Sequence, residues 1–146
     1  AEMLRHIPRN ITPDLMDVLM RMGHGDEIVF GDANFPAESM GQRVVHAEGD
    51  TIENLLASIL PFFPLDDYVE ENAVLMSVVA GKGEEPAVWN KYRDLLERYD
   101  EEKAFTGFSF LSRQEFYARA RTAVAVVATG EREKYSNIIL KLGVVK

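Results

Sequence analysis

Residues 123–128 read AVAVVA, six apolar side chains in a row. The run is strand-length and half valine, which favours a strand over a helix. A strand with one face in water alternates apolar and polar residues. This one has no polar face, so both of its faces must be covered. Thr129 and Gly130 break it. Two further stretches read the same way: strand 27–32, built on Ile28, Val29 and Phe30, and the valine-rich run from Ala73 to Ala80, closed by Gly81. Helical patterns lie between them. Apolar strands alternating with helices predict a three-layer α/β/α single domain, residues 1–146, with a largely parallel sheet. A chain of 146 residues is long enough to bury a real core.

The helix signals are local and specific. Thr12-Pro13-Asp14 offers a hydroxyl cap, a proline at the first helical position and an acid near the positive helix end. Leu15, Val18, Leu19 and Met22 then recur on one face, and Gly23 stops the helix. Asp50-Thr51-Ile52-Glu53 reads as a capping box for a helix over 52–60 that ends before Pro61. Val88 to Tyr99 is a third helix. Ser112-Arg113-Gln114-Glu115 is a second capping box, opening a helix to about Arg121. Short strands are expected at 43–47 and from Tyr135 to Val145, the latter broken near Gly143. Segment 105–110 reads as a strand or an irregular stretch. Residues 81–86 form a polar turn and 100–103 a charged loop.

Composition narrows the function classes. The formal net charge is −8 and no basic patch occurs, which argues against nucleic acid as a partner. The chain has no cysteine, so disulfides, thiolate nucleophiles and cysteine metal sites are excluded. No apolar run of ~18 residues or more predicts a membrane span, no signal peptide is evident, and a reducing compartment such as the cytoplasm is the expectation. GKGEEP lacks the lysine and hydroxyl spacing of a phosphate-binding loop. Neither a His-x-x-x-His pair nor a Gly-x-Ser-x-Gly elbow is present. A small neutral ligand is compatible with all of this.

Polar groups flank the first strand in GHGDEIVFGDANFP, residues 23–36. His24 sits between two glycines that leave its backbone uncrowded. A lone loop histidine is usually solvated, yet a group near ~6.5 trades protons readily at neutral pH. His6 and His46 lack such a setting and read as structural or surface residues. Asp32 follows the strand at its carboxyl end, where α/β sheets bind ligands, or it simply caps the next turn. Asp66 and Asp67 lie in a proline-bounded loop and are more often turn residues than ligands. Arg113 and Tyr117 are four apart on a helix and share a face, as a ligand grip or as a surface cation–aromatic pair. Tyr135 and Asn137, two apart where the last strand begins, point to one side, into a polar pocket or into water.

Four segments taken in order are more informative than any one of them: MGHGDEIVFGDANFP, LPFFPLDDYVE, RQEFYARAR and VVATGEREKYSNIILKLGV. In order and approximate spacing they resemble the L-fucose mutarotase family, from about Pro8 to Val145. The related D-ribose pyranases more usually carry Gly-His-Thr-Asp in the first motif and lack Asn-Phe-Pro in the second. The resemblance implies an isomerase that interconverts α and β anomers of a free sugar, non-covalently and without a cofactor or metal. It implies His24 as proton donor and Tyr117 as a second acid/base group. Asp32, Asp66, Arg113, Tyr135 and Asn137 would bind the sugar. It also implies ring-shaped homo-oligomers, commonly decamers, with pockets near subunit contacts; which subunit supplies each side chain stays open.

The chemistry suits these residue types. Ring opening needs one proton delivered to the ring oxygen and one removed from the anomeric hydroxyl, and two groups that trade roles on closure suffice. Positioned proton transfer contributes roughly 10²–10⁴-fold, enough for a reaction that already proceeds in water. Phe35 is a candidate aromatic wall for the sugar ring. The competing readings are a D-ribose pyranase and a sugar-binding or regulatory module without turnover.

Overall fold

The computed structural model describes residues 4–79, 81, 83–101 and 103–145. The expected strand end at Ala80, Lys82 of the polar turn, Glu102 of the charged loop, and residues 1–3 and 146 of the expected domain lie outside them. Among the described residues, five α-helices and six strands alternate up to β5, and β6 follows it directly: α1 (Pro13–Arg21), β1 (Glu27–Gly31), α2 (Ala37–Met40), β2 (Val44–Ala47), α3 (Ile52–Ile59), β3 (Ala73–Met76), α4 (Val88–Arg98), β4 (Ser109–Leu111), α5 (Arg113–Thr122), β5 (Ala125–Thr129) and β6 (Ile138–Lys141). The strands form one sheet in the order β2-β5-β1-β6-β3-β4. β1 and β2 run parallel to β5, and β3 runs parallel to β4. β6 is antiparallel to both of its neighbours, β1 and β3. Five strands therefore point one way and β6 points against them, a mixed and mostly parallel sheet.

Strand periodicity divides the core. Ile28, Phe30, Leu75, Ala125, Val127, Ile138 and Leu140 pack with Leu15 and Val18 of α1, Leu55 and Leu56 of α3 and Tyr92 and Leu96 of α4. The alternate residues Val29, Val74, Val126 and Ile139 pack on the other face with Ala37 of α2 and Phe116 and Ala120 of α5. Both faces of every central strand are thus covered, as the unbroken apolar runs require. The three-layer expectation holds.

Capping sets the helix ends. The Thr12 hydroxyl accepts from Leu15 N–H and Pro13 occupies the first turn. Ser112 Oγ accepts from Glu115 N–H while Glu115 Oε1 accepts from Ser112 N–H, the full reciprocal box. The expected box at α3 is displaced by one residue: Thr51, not Asp50, is the cap, and it accepts from Asn54 N–H. Asp50 instead accepts from Thr51 N–H and from the Asn54 and Asn10 side chains. Ala123 caps α5, so the strand that follows begins at Ala125. β6 is shorter than the 135–145 expectation. It stops at Lys141, and Gly143 then packs so closely on the Leu65 carbonyl that a Cβ has no room.

Candidate active site

The reversed direction of β6 creates the site. An antiparallel strand between β1 and β3 brings its own beginning, Tyr135 to Asn137, among the carboxyl ends of its neighbours. Asp32 follows β1 there, and Met76 ends β3. Across this edge lies the start of α5, with Arg113 in its first turn and Tyr117 in the next. Asp32, Asn34, Phe35, Met76, Arg113, Tyr117, Lys134, Tyr135 and Asn137 line one cavity of about 240 Å³. That is smaller than the ~300–1,000 Å³ typical of drug-sized ligand sites, and it suits a small polar molecule.

Asp32 is the buried centre. Its N–H donates to Asn137 Oδ1 at 2.6 Å, and its Oδ1 accepts from Asn34 N–H at 3.0 Å. With its oxygen so engaged, Asn137 has its amino group available to a ligand. Burial pushes the Asp32 carboxyl above the usual range; backbone N–H groups of Asn34, Phe35 and Ser136 oppose that in part. Above it, Arg113 Nε–H donates to the Tyr117 phenol oxygen at 3.2 Å, with the guanidinium 5.4 Å from the ring centre. The donated hydrogen bond occupies a lone pair, so the phenol O–H remains free to point elsewhere.

Phe35 holds the Tyr117 ring edge-on at 5.5 Å and meets Phe116 at 6.1 Å. It can do so because residue 31 is glycine: a Cβ there would fall 2.8 Å from the Phe35 side chain. Fully buried Phe116 fixes the helix that carries its neighbour Tyr117.

His24 and Asp66 are elsewhere. His24 precedes β1 and Asp66 lies between α3 and β3, and both adjoin the end of β6, where Gly25 N–H donates to Leu142 O and Asp66 N–H donates to Lys141 O. Asp32 lies beyond the far end of β1, and the five residues of that strand alone span roughly 16 Å. Within one chain the seven expected site residues therefore form two clusters. In the second, His24 Nε2 lies 3.1 Å from Asp66 Oδ1. A carboxylate only accepts, so Nε2 carries the proton and Nδ1 is the basic nitrogen. The imidazole is 46% exposed while Asp66 is buried. Its ring lies 5.0 Å from Tyr68, which is itself 72% exposed. Gly25, at φ 88°, supplies the left-handed residue that the loop needs.

Tyr135 and Asn137 do share the cavity, though not by strand alternation. Both precede β6, and Tyr135 has φ 60°, so a turn rather than a pleat aims them. Lys134, Asn34 and Met76 were missed from sequence. Lys134 adjoins the GEREKYSN motif, Asn34 lies inside DANFP, and Met76 ends an apolar strand at the ligand edge; each was legible only by adjacency. His46, exposed, lies between Glu48 Oε2 (2.6 Å) and Glu38 Oε1 (2.9 Å) beside a neighbouring depression. Among the described residues, no group of three or more histidine or acidic side chains is arranged to hold a metal ion, and no helix is long and apolar enough to cross a membrane.

Fold and pocket together define an α/β protein with a small polar-ligand site at the carboxyl edge of its sheet. More particularly, the chain belongs to the RbsD / FucU transport protein family, whose profile matches residues 5–145. Among solved structures it is similar to the fucose mutarotase in complex with L-fucose from Streptococcus pneumoniae, at 46% identity over 98% of this chain and 100% of that one, with a TM-score of 0.92. It is similar to FucU from Bifidobacterium longum at 42% identity, covering 97% of this chain and 100% of the other, with a TM-score of 0.91. Bacillus subtilis RbsD complexed with D-ribose shares the fold at 24% identity, over 93% and 95% of the two chains, with a TM-score of 0.69.

Proposed function

We propose that this protein is a cofactor-independent sugar mutarotase, an isomerase that interconverts the α and β anomers of L-fucose. One observation carries the reading. A carboxylate, two carboxamides, two phenols and a guanidinium from three separate segments converge on one cavity, in a chain similar to a fucose mutarotase that binds L-fucose. Asp32 and the Asn137 amino group bind sugar hydroxyls, with Tyr135 and Arg113 at the rim. Phe35 and Met76 supply the apolar wall.

In the reaction the anomeric O–H loses its proton as the bond from C1 to the ring oxygen breaks, and the ring oxygen gains a proton. Rotation about C1–C2 and the reverse steps close the other anomer. Tyr117 is one proton-transfer group. His24 is the other, supplied by a second protomer with Asp66 holding its Nε2–H; the distance between the two clusters along β1 within one chain supports this reading. The half-exposed imidazole and the exposed Tyr68 beside it suit a surface completed by a neighbouring copy. Self-association into a ring, expected as a decamer, and a cytoplasmic site of action belong to the same proposal, with the whole chain working as one domain.

Magnetization-transfer NMR on L-fucose tests it. His24→Ala and Tyr117→Phe should each slow exchange by about 10²-fold or more with the fold intact. Co-expressing the two inactive variants should restore about a quarter of the sites, because each site draws on two copies of one symmetric interface. Wild-type rates in both variants, or saturable binding with no acceleration by the wild type, would sink the mechanism. Faster exchange on D-ribose than on L-fucose would make the protein a pyranase instead.

A further inference from the structure

The turn from Glu133 to Asn137 carries two of the proposed sugar contacts, and nothing within the cavity explains its shape. Tyr135 sits at φ 60°, a conformation that a bulky L side chain holds only when its surroundings impose it. The imposing groups come from the opposite side, on α4. Trp89 Nε1–H donates to the Tyr135 carbonyl at 2.8 Å, and Tyr92 O–H donates to the Ser136 carbonyl at 2.9 Å. The two donors are three residues apart on one helix face and grip consecutive carbonyls. Ser136 Oγ–H donates to Glu133 O at 2.5 Å and closes the turn from within. The next residue, Asn137, receives the Asp32 N–H.

We propose that Trp89 and Tyr92 are positioning residues of the sugar site: by fixing the backbone of the 133–137 turn they place Tyr135 and Asn137 for the ligand. Neither lines the cavity. Tyr92 has no exposed surface, and its burial keeps the phenol protonated, so it is a permanent donor. A phenylalanine would fill the same space in the core; the hydroxyl is needed only for the carbonyl. The inference rests on the reading of this cavity as a sugar site.

The test measures exchange across a range of L-fucose concentrations, alongside thermal midpoints, for the wild type, Tyr92→Phe and Trp89→Phe. The half-saturating sugar concentration should rise about fivefold or more, because a buried carbonyl loses its partner and the turn relaxes. The saturated rate should stay within about twofold, since neither residue moves a proton. Half-saturation unchanged in the folded variants overturns the proposal. So does a loss of rate and affinity in step with the folded fraction, which is what a purely structural role gives. Trp89 is the single tryptophan, so its one indole N–H resonance offers a measurement on the unmutated protein. Saturating L-fucose should shift it, and an unmoved resonance overturns the proposal whatever the variants do. Failure of the mutarotase reading looks different: the wild type would shift that resonance without accelerating exchange.

Discussion

Strand β1 is bracketed by two buried carboxylates with opposite surroundings. Glu27 opens it at 9% exposure and Asp32 follows it at 7%. Glu27 is fully compensated: Arg119 donates to both of its oxygens from Nε and again from Nη2 at 2.8 Å, and Lys141 lies 3.9 Å away. Asp32 has backbone N–H donors and, among the described residues, no ion pair; the nearby Glu131 adds repulsion. Equal burial with unequal compensation marks Glu27 as a charge the fold holds and Asp32 as one it leaves uncompensated, which fits the ligand role proposed for Asp32. Burying a carboxylate is expensive, and a protein that leaves one without a cation sacrifices stability for something else.

The largest effect should therefore come from the compensated end. Glu27→Ala leaves Arg119 and Lys141 together, with Glu71, 3.5 Å from Arg119, as the remaining ion-pair partner among the described residues. A loss of about 3 kcal/mol is expected, the lower bound for breaking a buried pair, because Arg119 is partly solvated. Urea denaturation measures it. Replacing both partners, as in Glu27→Leu with Arg119→Met, should recover most of that loss. L-fucose affinity of the folded fraction should stay within about twofold, since an ion pair away from the pocket makes no ligand contact. A collapse of affinity would mean that the two ends of β1 are not separable.

Asp32→Asn should show the reverse pattern. Sugar affinity falls about 10- to 100-fold, the worth of a charged acceptor's hydrogen bonds, while stability at pH 8 rises by up to about 1 kcal/mol. The pH dependence follows from the direction of the shift. A carboxyl whose folded pKa is raised binds more protons when folded, so it favours the fold less as pH climbs from 3.8 through the raised value. The gain from asparagine should be full above that window and vanish near pH 4. Thermal midpoints from pH 4 to 8 check this. A destabilised asparagine variant at neutral pH would put Asp32 in the same class as Glu27.

That contrast was half legible in the sequence. The apolar runs at 27–32, 73–80 and 123–128 specify a doubly covered sheet, because no register gives them a wet face. Capping chemistry located α5 and, through it, the shared face of Arg113 and Tyr117. Direction was not legible: IILK pairs equally well parallel or antiparallel, so nothing local reveals that β6 runs backwards and delivers Asn137 to the carboxyl edge. The left-handed turn at Tyr135 was hidden too, since tyrosine is an unexpected residue there. The separation of His24 from Asp32 was in plain view, one before and one after a five-residue strand. The family motif, which lists both as one site, concealed it until the geometry of a single chain was laid out.

The smallest effect belongs to a third set of charges, and it checks whether burial is what makes the other two matter. His46 lies between Glu48 and Glu38, near enough to pair with both, but all three side chains are more than half exposed. The Glu48 and Glu38 carboxylates raise the imidazole above its usual value of 6.5. A raised folded pKa means that the pairing favours the fold fully below 6.5 and ceases to do so as pH rises through the raised value. His46→Gln should accordingly lower the thermal midpoint slightly at pH 6, not at all at pH 9, and not at high salt, where exposed pairs are screened. L-fucose affinity should not move, since His46 borders the neighbouring depression and not the Tyr117 cavity. A large midpoint change at pH 9, or any loss of sugar affinity, would mean that proximity to the pocket rather than burial decides which charges count.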